Sequence, residues 1–521
     1  MKKTSRKVLL QFALATFITM VLVSVSSCRK DFSTIPNFGN LQFSKDTVFL
    51  DTIFKNIGSS TYTFKVYNNS NKDITIPNIA LENGYNSNYR LNVDGDLGID
   101  NLGKIFEDID ILAKDSIFIF VETTKDTNEA NELLHAENVV FDTGNRQQSV
   151  NLVTLVKDAN FIFPNRNEID NKFVIDTLFV NDESTGLLGR FLKDDELTFT
   201  NEKPTVIYGF AAVPKGKTLT IEAGAKVHFH ENSGLIIDTG ATLKVQGTLD
   251  RKIIFEGDRL EPNFNNVAGQ WGTIWLREGS VNNSIEYAVI KNAVVGILVD
   301  GITSSRNSTL HIRNSEIYNH SSFGILGRNT NIRGANTVIG NAGQCSLAAT
   351  LGGFYNFNHC TFSNYWNNSL RQLPTVLVNN FIRFKDKNGE EITETLDLTS
   401  ATFVNCIIDG GNNIEFVLDR VEGSSFNYNI NSCMIQFNDT NKDFEGIPEV
   451  DFTNEFFNNI ILNGNADFKD VRANDFRIGV NSDAINKGIR SIYNTDILGI
   501  DRTTAPDLGT YQHIIFKEDE D

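Results

Sequence analysis

From residue 41 to residue 163, apolar and polar positions alternate in short runs. Thr61-Tyr-Thr-Phe-Lys-Val-Tyr67 alternates cleanly, and Asp115-Ser-Ile-Phe-Ile-Phe-Val121 and Ser149-Val-Asn-Leu-Val-Thr-Leu-Val156 carry strand-forming residues at the same period. Asn68-Asn-Ser-Asn-Lys-Asp73 is a turn cluster. A period of two belongs to a strand with one face in a core and the other in water. About seven such strands with turns between them predict a β-sandwich. From about residue 175 the pattern changes. Aliphatic or aromatic pairs recur at Leu219/Ile221, Val227/Phe229, Leu235/Ile237 and Leu243/Val245, separated by short turns. Further along, six segments align without gaps: Tyr287-Ala-Val-Ile-Lys-Asn292, Asn314-Ser-Glu-Ile-Tyr-Asn319, His359-Cys-Thr-Phe-Ser-Asn364, Asn405-Cys-Ile-Ile-Asp-Gly410, Ser432-Cys-Met-Ile-Gln-Phe437 and Asn458-Asn-Ile-Ile-Leu-Asn463. Their second position is small or medium, and their fourth is large and apolar. Successive second positions lie 27, 45, 46, 27 and 26 residues apart. One coil therefore takes about 26 residues, and each longer step holds two coils or one coil with an insertion.

A fixed period of this size marks a solenoid or an array. Strand triplets with inward aliphatics and Asn at the turns predict a parallel β-helix. Its coils stack about 4.8 Å apart and bury their inner faces against one another. The two ends of such a stack expose strand edges. The sandwich is expected to cover the first end, and residues 475–511 the last. Cys360, Cys406 and Cys433 share the second repeat position. Parallel side chains on stacked strands are poorly aimed for a disulfide, so the pattern predicts a ladder of buried thiols, with Cys345 left unassigned.

The first residues read as an address. Lys2, Lys3, Arg6 and Lys7 precede a stretch without charge from residue 8 to 25, and Val25-Ser-Ser-Cys28 follows. Basic head, apolar middle and small residues at a cut site make an export signal. The small-small-Cys ending resembles the lipobox of bacterial lipoproteins, which implies that Cys28 becomes the first mature residue and carries acyl chains. Several chains hold a protein firmly on a membrane. Removing residues 1–27 takes away four basic and no acidic residues, so the net charge moves from −18 to −22. That balance argues against a nucleic-acid partner, which wants a basic footprint. The expected organisation is a signal at 1–27, a lipidated cysteine and flexible tether at 28–40, and a sandwich at 41–163. A connecting segment at 164–200 and the β-helix at 201–512 follow, with an insertion near 367–399 and a C-terminal cap. Residues 513–521 form an acidic tail.

The order of the domains resembles the Ig-like modules that precede larger domains in bacterial surface proteins. The run from residue 219 to 250, Gly269-Gln-Trp-Gly-Thr-Ile274 and Ile285-Glu-Tyr-Ala-Val-Ile290 resemble the right-handed β-helices of pectin-lyase-like architecture. Asn341-Ala-Gly-Gln344, His359-Cys-Thr-Phe-Ser-Asn-Tyr-Trp366 and the ending around Ser482-Asp-Ala-Ile-Asn-Lys-Gly488 and Pro506-Asp-Leu-Gly-Thr-Tyr511 resemble a group of Bacteroidota lipoproteins without an assigned activity. The resemblance implies an all-β fold, an Ig-like sandwich followed by a right-handed parallel β-helix, and a place in the outer membrane, lipid-anchored and facing the cell surface. It implies a binding or structural role with a glycan or an envelope protein as partner, and calls for no cofactor. The alternatives are a polysaccharide lyase or glycoside hydrolase acting on a surface glycan, and an accessory subunit of an outer-membrane complex.

Several residue sets are candidate sites. His228 and His230 share a strand with Glu231 after them, but a metal wants three or four ligands. Asp94, Asp96 and Asp100 lack the ligands a calcium loop needs at later positions, and a sandwich turn explains them. Glycosidic hydrolysis uses two carboxyl groups roughly 5–10 Å apart. Glu316 and Asp409 lie on repeat strands at different positions, so no shared wall is required of them. No metal site and no catalytic set follows. Trp271, Trp275, Tyr365 and Trp366, if exposed, would stack on sugar rings, and Arg371 lies in the insertion, the expected projecting loop. The competing reading of the aromatics is that they plug the helix or pack the insertion.

Overall fold

The computed structural model describes residues 33–37, 41–99, 101–126, 132–169, 172–180, 183–302 and 308–516. Cys28 and the signal before it lie outside the described residues. The chain divides into two compact units, 1–157 and 158–521.

The first unit is a two-sheet sandwich. One sheet runs Ile35–Pro36, Ile74–Leu81, Glu132–Phe141, Gln148–Lys157, Thr47–Phe54, with Ile105–Ile111 also beside Ile74–Leu81. The other runs Gln42–Phe43, Tyr62–Tyr67, Ser116–Thr123, Tyr89–Val93. Alternation decides the faces: Ile117, Ile119 and Val121 are buried with Phe64, Tyr89 and Phe141, whereas Phe118 and Phe120 between them point outward. One segment departs from the predicted tether. Ile35 and Pro36 pair in parallel with Ile74 and Thr75, and the buried Asn37 amide donates to the Asp142 carboxylate. The unit therefore reaches back into residues 28–40.

The second unit is a parallel β-helix with three sheets. The first runs from residues 189–191 through Phe210–Val213, Gly234–Ile237, Ile274–Leu276 and Val295–Asp300 to Val376–Asn379 and Phe416–Asp419. The second runs from Thr198–Phe199 through Thr218–Glu222, Thr242–Gln246, Asn283–Glu286 and Leu310–Arg313 to Leu398–Val404, Phe426–Asn431 and Phe457–Asn458. The strands Phe323–Ala335 and Cys345–Asn358 bend and serve both sheets. The third, of eleven strands, runs from Asn160–Ile162 to Ile461–Leu462. Because Asn160–Ile162 pairs with Thr205–Ile207, the helix begins within the stretch assigned to the sandwich, which the pattern had extended to 163. Inward residues stack in register: Leu235, Ile274, Ile297, Ile325, Leu347, Val376 and Phe416 form one fully buried file.

The repeat motif marks the corner leading into the third sheet. Its first residue is left-handed: Asn314, Asn336, His359, Asn405 and Ser432 have φ of 51°, 46°, 52°, 56° and 51°. Asn and His tolerate that region better than most residues. The next side chain turns inward, and its hydroxyl or thiol donates to the carbonyl two residues back. The distances are 2.8 Å for Ser315, 2.9 Å for Thr337, 3.5 Å for Cys360, 3.2 Å for Cys406 and 3.4 Å for Cys433. All four described cysteines are free and buried, including the three of the ladder. Thr337 shows that the 45-residue step holds two coils, and the 46-residue step holds one coil with the insertion. The insertion folds into the exposed hairpin Phe381–Lys385 and Glu391–Thr395. The last segment is shifted by one residue against the sequence alignment. Met434 pairs with Ile461, so Asn459, with φ 53°, takes the corner position instead of Asn458.

The C-terminal cap also lies elsewhere than expected. Much of residues 475–516 packs against the outside of the third sheet. Phe476 and Tyr511 pack with Val338, and Ile478 and Leu508 pack with Ile407 and Met434. Thr510 accepts from the Thr361 amide at 3.0 Å and donates to the Thr337 carbonyl at 3.0 Å. The physical reason is the run of consecutive apolar residues Val338-Ile339, Ile407-Ile408 and Met434-Ile435, which needs cover on both faces.

Candidate functional site

Across the middle of the second sheet most outward positions are polar, Ala335 and Val404 excepted. In Leu243-Lys-Val245, Ser284-Ile-Glu286, His311-Ile-Arg313 and Ile332-Arg333 the aliphatics are buried, so the flanking side chains face outward. Parallel in-register pairing turns these into rows. Lys244, Ser284, His311, Arg333 and Asn356 form one, and Gln246, Glu286, Arg313, Ala335 and Asn358 the next. Arg490, Ser491, Ile492 and Tyr493, from the C-terminal segment, form the facing side. Two adjoining cavities of about 440 and 430 Å³ share His311, Arg313 and Tyr493. Together they run from Lys244 to Val404, five steps along the stack, or about 24 Å at about 4.8 Å per step.

The groove is basic although the chain is acidic. Among the described residues, Lys244, Arg313, Arg333 and Arg490 line it against a single carboxylate, Glu286, which pairs with Arg313 at 3.2 Å. Among the described residues, Lys244, Arg333 and Arg490 make no ion pair. The Lys244 ammonium donates to the Asn282 carbonyl at 2.7 Å, and the Arg333 guanidinium lies 5.4 Å from the centre of the Phe354 ring. Burial and then the Arg333, Arg313 and Lys244 charges push the His311 imidazole below its usual range. Burial pushes the Tyr493 phenol up, while Arg313 and Arg333 pull it down. The site thus presents fixed cations, a neutral imidazole and a phenol along one open channel.

None of the five residues singled out from the sequence lines this groove. Trp271 is a core residue, 1% exposed, stacked on Phe229 at 4.2 Å and donating to the Lys291 carbonyl at 2.9 Å. It plugs the helix rather than presenting a ring. Half-buried Trp275 donates to Asp300 at 2.8 Å and packs with Leu178 and Ile236. Tyr365 donates to Asp409 at 3.0 Å, and burial followed by that carboxylate pushes its phenol up. Trp366 donates to Ser369 at 2.9 Å. Arg371 is not on a projecting loop: it is buried in an ion pair with Glu415. The exposed hairpin lies later in the insertion.

His228 is buried beside Glu256 at 3.7 Å, while exposed His230 meets Asp258 at 2.8 Å and stacks on Tyr208. Asp96 accepts from the Gly98 amide in a turn that begins at Asp94, and Asp100 lies outside the described residues. Glu316 is held by Lys252 at 3.0 Å. It sits three coils from Asp409, about 14 Å along the stack and therefore beyond the spacing of a hydrolytic pair. The groove was missed because the sequence alignment followed the corner motif of the third sheet. Its signal was the triplet of an aliphatic flanked by polar residues on the second sheet, interrupted by loops of unequal length.

No family model matches the chain, and no curated protein does. Among solved structures, a family 123 glycoside hydrolase from Clostridium perfringens is similar over 23% of this chain and 27% of its own, at 9% identity and a TM-score of 0.16. The chain thus spans about a quarter of that enzyme. A PapD-like domain of human CEP192 matches 26% of this chain and 94% of its own, at 11% identity and a TM-score of 0.15. The catalytic unit of a GH87 alpha-1,3-glucanase from Streptomyces thermodiastaticus matches 72% of this chain and 73% of its own, at 13% identity and a TM-score of 0.24.

Proposed function

We propose that this is an exported cell-envelope protein, anchored through acylated Cys28 in the outer membrane, whose β-helix binds an extended glycan along the second-sheet groove. The groove carries this reading. It is open and about 24 Å long, and it is lined by hydrogen-bonding side chains on a rigid parallel stack. A binding role is favoured over glycoside hydrolysis because the lining holds one carboxylate, Glu286, already paired with Arg313, whereas hydrolysis uses two. The test is a polysaccharide array probed with the full chain in detergent, followed by analysis of the bound glycans for new ends. Retention of intact glycan supports the proposal. New reducing or unsaturated ends would replace it with an enzyme, and no retention across a broad array would remove it.

A further inference from the structure

Resting on that reading, we infer that the glycan is acidic, and that its carboxylate or sulfate groups are held by Arg313, Arg333 and Arg490 with Lys244 at one end of the groove. The first argument is local charge. Four cationic side chains and one carboxylate line the channel of a chain whose net charge is −18. Such a patch is an exception to the surrounding field, and a cleft of one sign concentrates ligands of the other.

The second argument is availability. Arg333 and Arg490 are exposed and, with Lys244, form no ion pair among the described residues, so their charges are not already spent on a protein carboxylate. The third is geometry. His311 and Arg333 stand on neighbouring coils in one row, and Arg313 lies in the next. Arg490 closes the channel from the other side. Guanidinium groups bind carboxylate and sulfate oxygens through paired N–H donors, and cations on neighbouring coils about 4.8 Å apart suit a polymer that carries repeated anionic groups. Nucleic acid fits less well. Its phosphates are denser than the cations offered here, and the rest of the acidic chain repels it.

The experiment measures binding of the full chain in detergent to four probes of matched length: polygalacturonate, its carboxyl-reduced neutral form, dextran sulfate and single-stranded DNA. The expected result is binding of polygalacturonate or dextran sulfate that weakens as salt rises, with at least tenfold weaker binding of the neutral form. Which of the two anionic glycans binds more tightly tells carboxylate from sulfate. The double variant R313Q/R333Q should lose at least tenfold in affinity for the acidic glycan, R333K should keep most of it, and K442Q, outside the groove lining, should leave it unchanged. Circular dichroism confirms that each variant folds. Equal binding of the neutral polymer would overturn the acidic assignment and leave glycan binding standing. Unchanged affinity in R313Q/R333Q would overturn it too, as would DNA binding as tight as that of the glycan. Failure of every glycan would overturn both proposals.

Discussion

The Arg371 guanidinium and the Glu415 carboxylate meet as a two-pronged pair, at 2.5 and 2.8 Å, with 3% and 0% of the two side chains exposed. Glu415 also accepts from the Thr375 amide and hydroxyl at 2.8 Å and from the Asn412 amide at 2.6 Å. The pair thereby ties the start of the insertion to the coil below. Breaking it from one side leaves a buried charge without its counter-ion, which costs about 3–5 kcal/mol. R371A should therefore lower stability by that amount in urea unfolding. The double replacement R371M/E415L should recover only part of the loss, because it leaves no stranded charge but takes the acceptor from the Thr375 and Asn412 amides. A loss below about 1 kcal/mol in R371A would show that the pair is not structural.

Trp271 and Trp366 should separate core from periphery. Trp271 stacks on Phe229 inside the helix and is 1% exposed. Replacing a buried aromatic of this size with Ala costs about 3–5 kcal/mol. W271A is expected to fall in that range by chemical denaturation, and W366A to cost about 1 kcal/mol or less, since Trp366 is only partly buried. Equal costs would contradict this placement.

The thiols of Cys345, Cys360, Cys406 and Cys433 should be inert in the native protein. Burial pushes Cys345 up to about 12, and Cys406 is raised by burial and by its Cys360 and Cys433 neighbours. Only the thiolate reacts appreciably. Alkylation at pH 8 followed by intact-mass measurement should add nothing to these four positions until denaturant is present. Rapid native labelling of any ladder cysteine would show that the coil opens there.

Two histidine environments predict opposite pH behaviour. His320 is fully buried and held down to about 3 by burial, and His359 to about 3 by burial and the Arg502 charge. Between pH 6.5 and 3 the unfolded chain binds protons that the folded chain refuses, so these two sites lower stability as pH falls through that window. His230 differs: the Asp258 hydrogen bond raises it. Its contribution is complete below the unfolded value near 6.5 and is lost as pH rises through the folded value. In NMR titration, D258N should lower the His230 midpoint, while the His320 ring should not titrate above pH 4. A normal His320 midpoint near 6.5 would refute its burial.

Much of this was readable along the chain. Alternation in 115–121 and 149–156 set which side chains of the sandwich face its core, as the buried Ile119 and Val150 show. The second repeat position is small because it follows a left-handed residue at a corner and turns inward, a requirement met within a few consecutive residues. The shift at Asn459 escaped detection because two adjacent asparagines suit the left-handed position equally well, and only the pairing of Met434 with Ile461 chooses between them.

The sequence by itself determined the all-β class, the two kinds of strand pattern, the coil period and the cysteine ladder, because each depends on residues close together or recurring at a steady spacing. Only the tertiary structure decided where the C-terminal segment lies, that Arg371 is buried, and that Lys244, His311, Arg313 and Arg333 share one wall with Arg490. Hydrogen-bond register brings those residues together across loops of unequal length, and the apolar outer face of the third sheet draws the last residues onto it. Neither effect leaves a periodic trace in the chain.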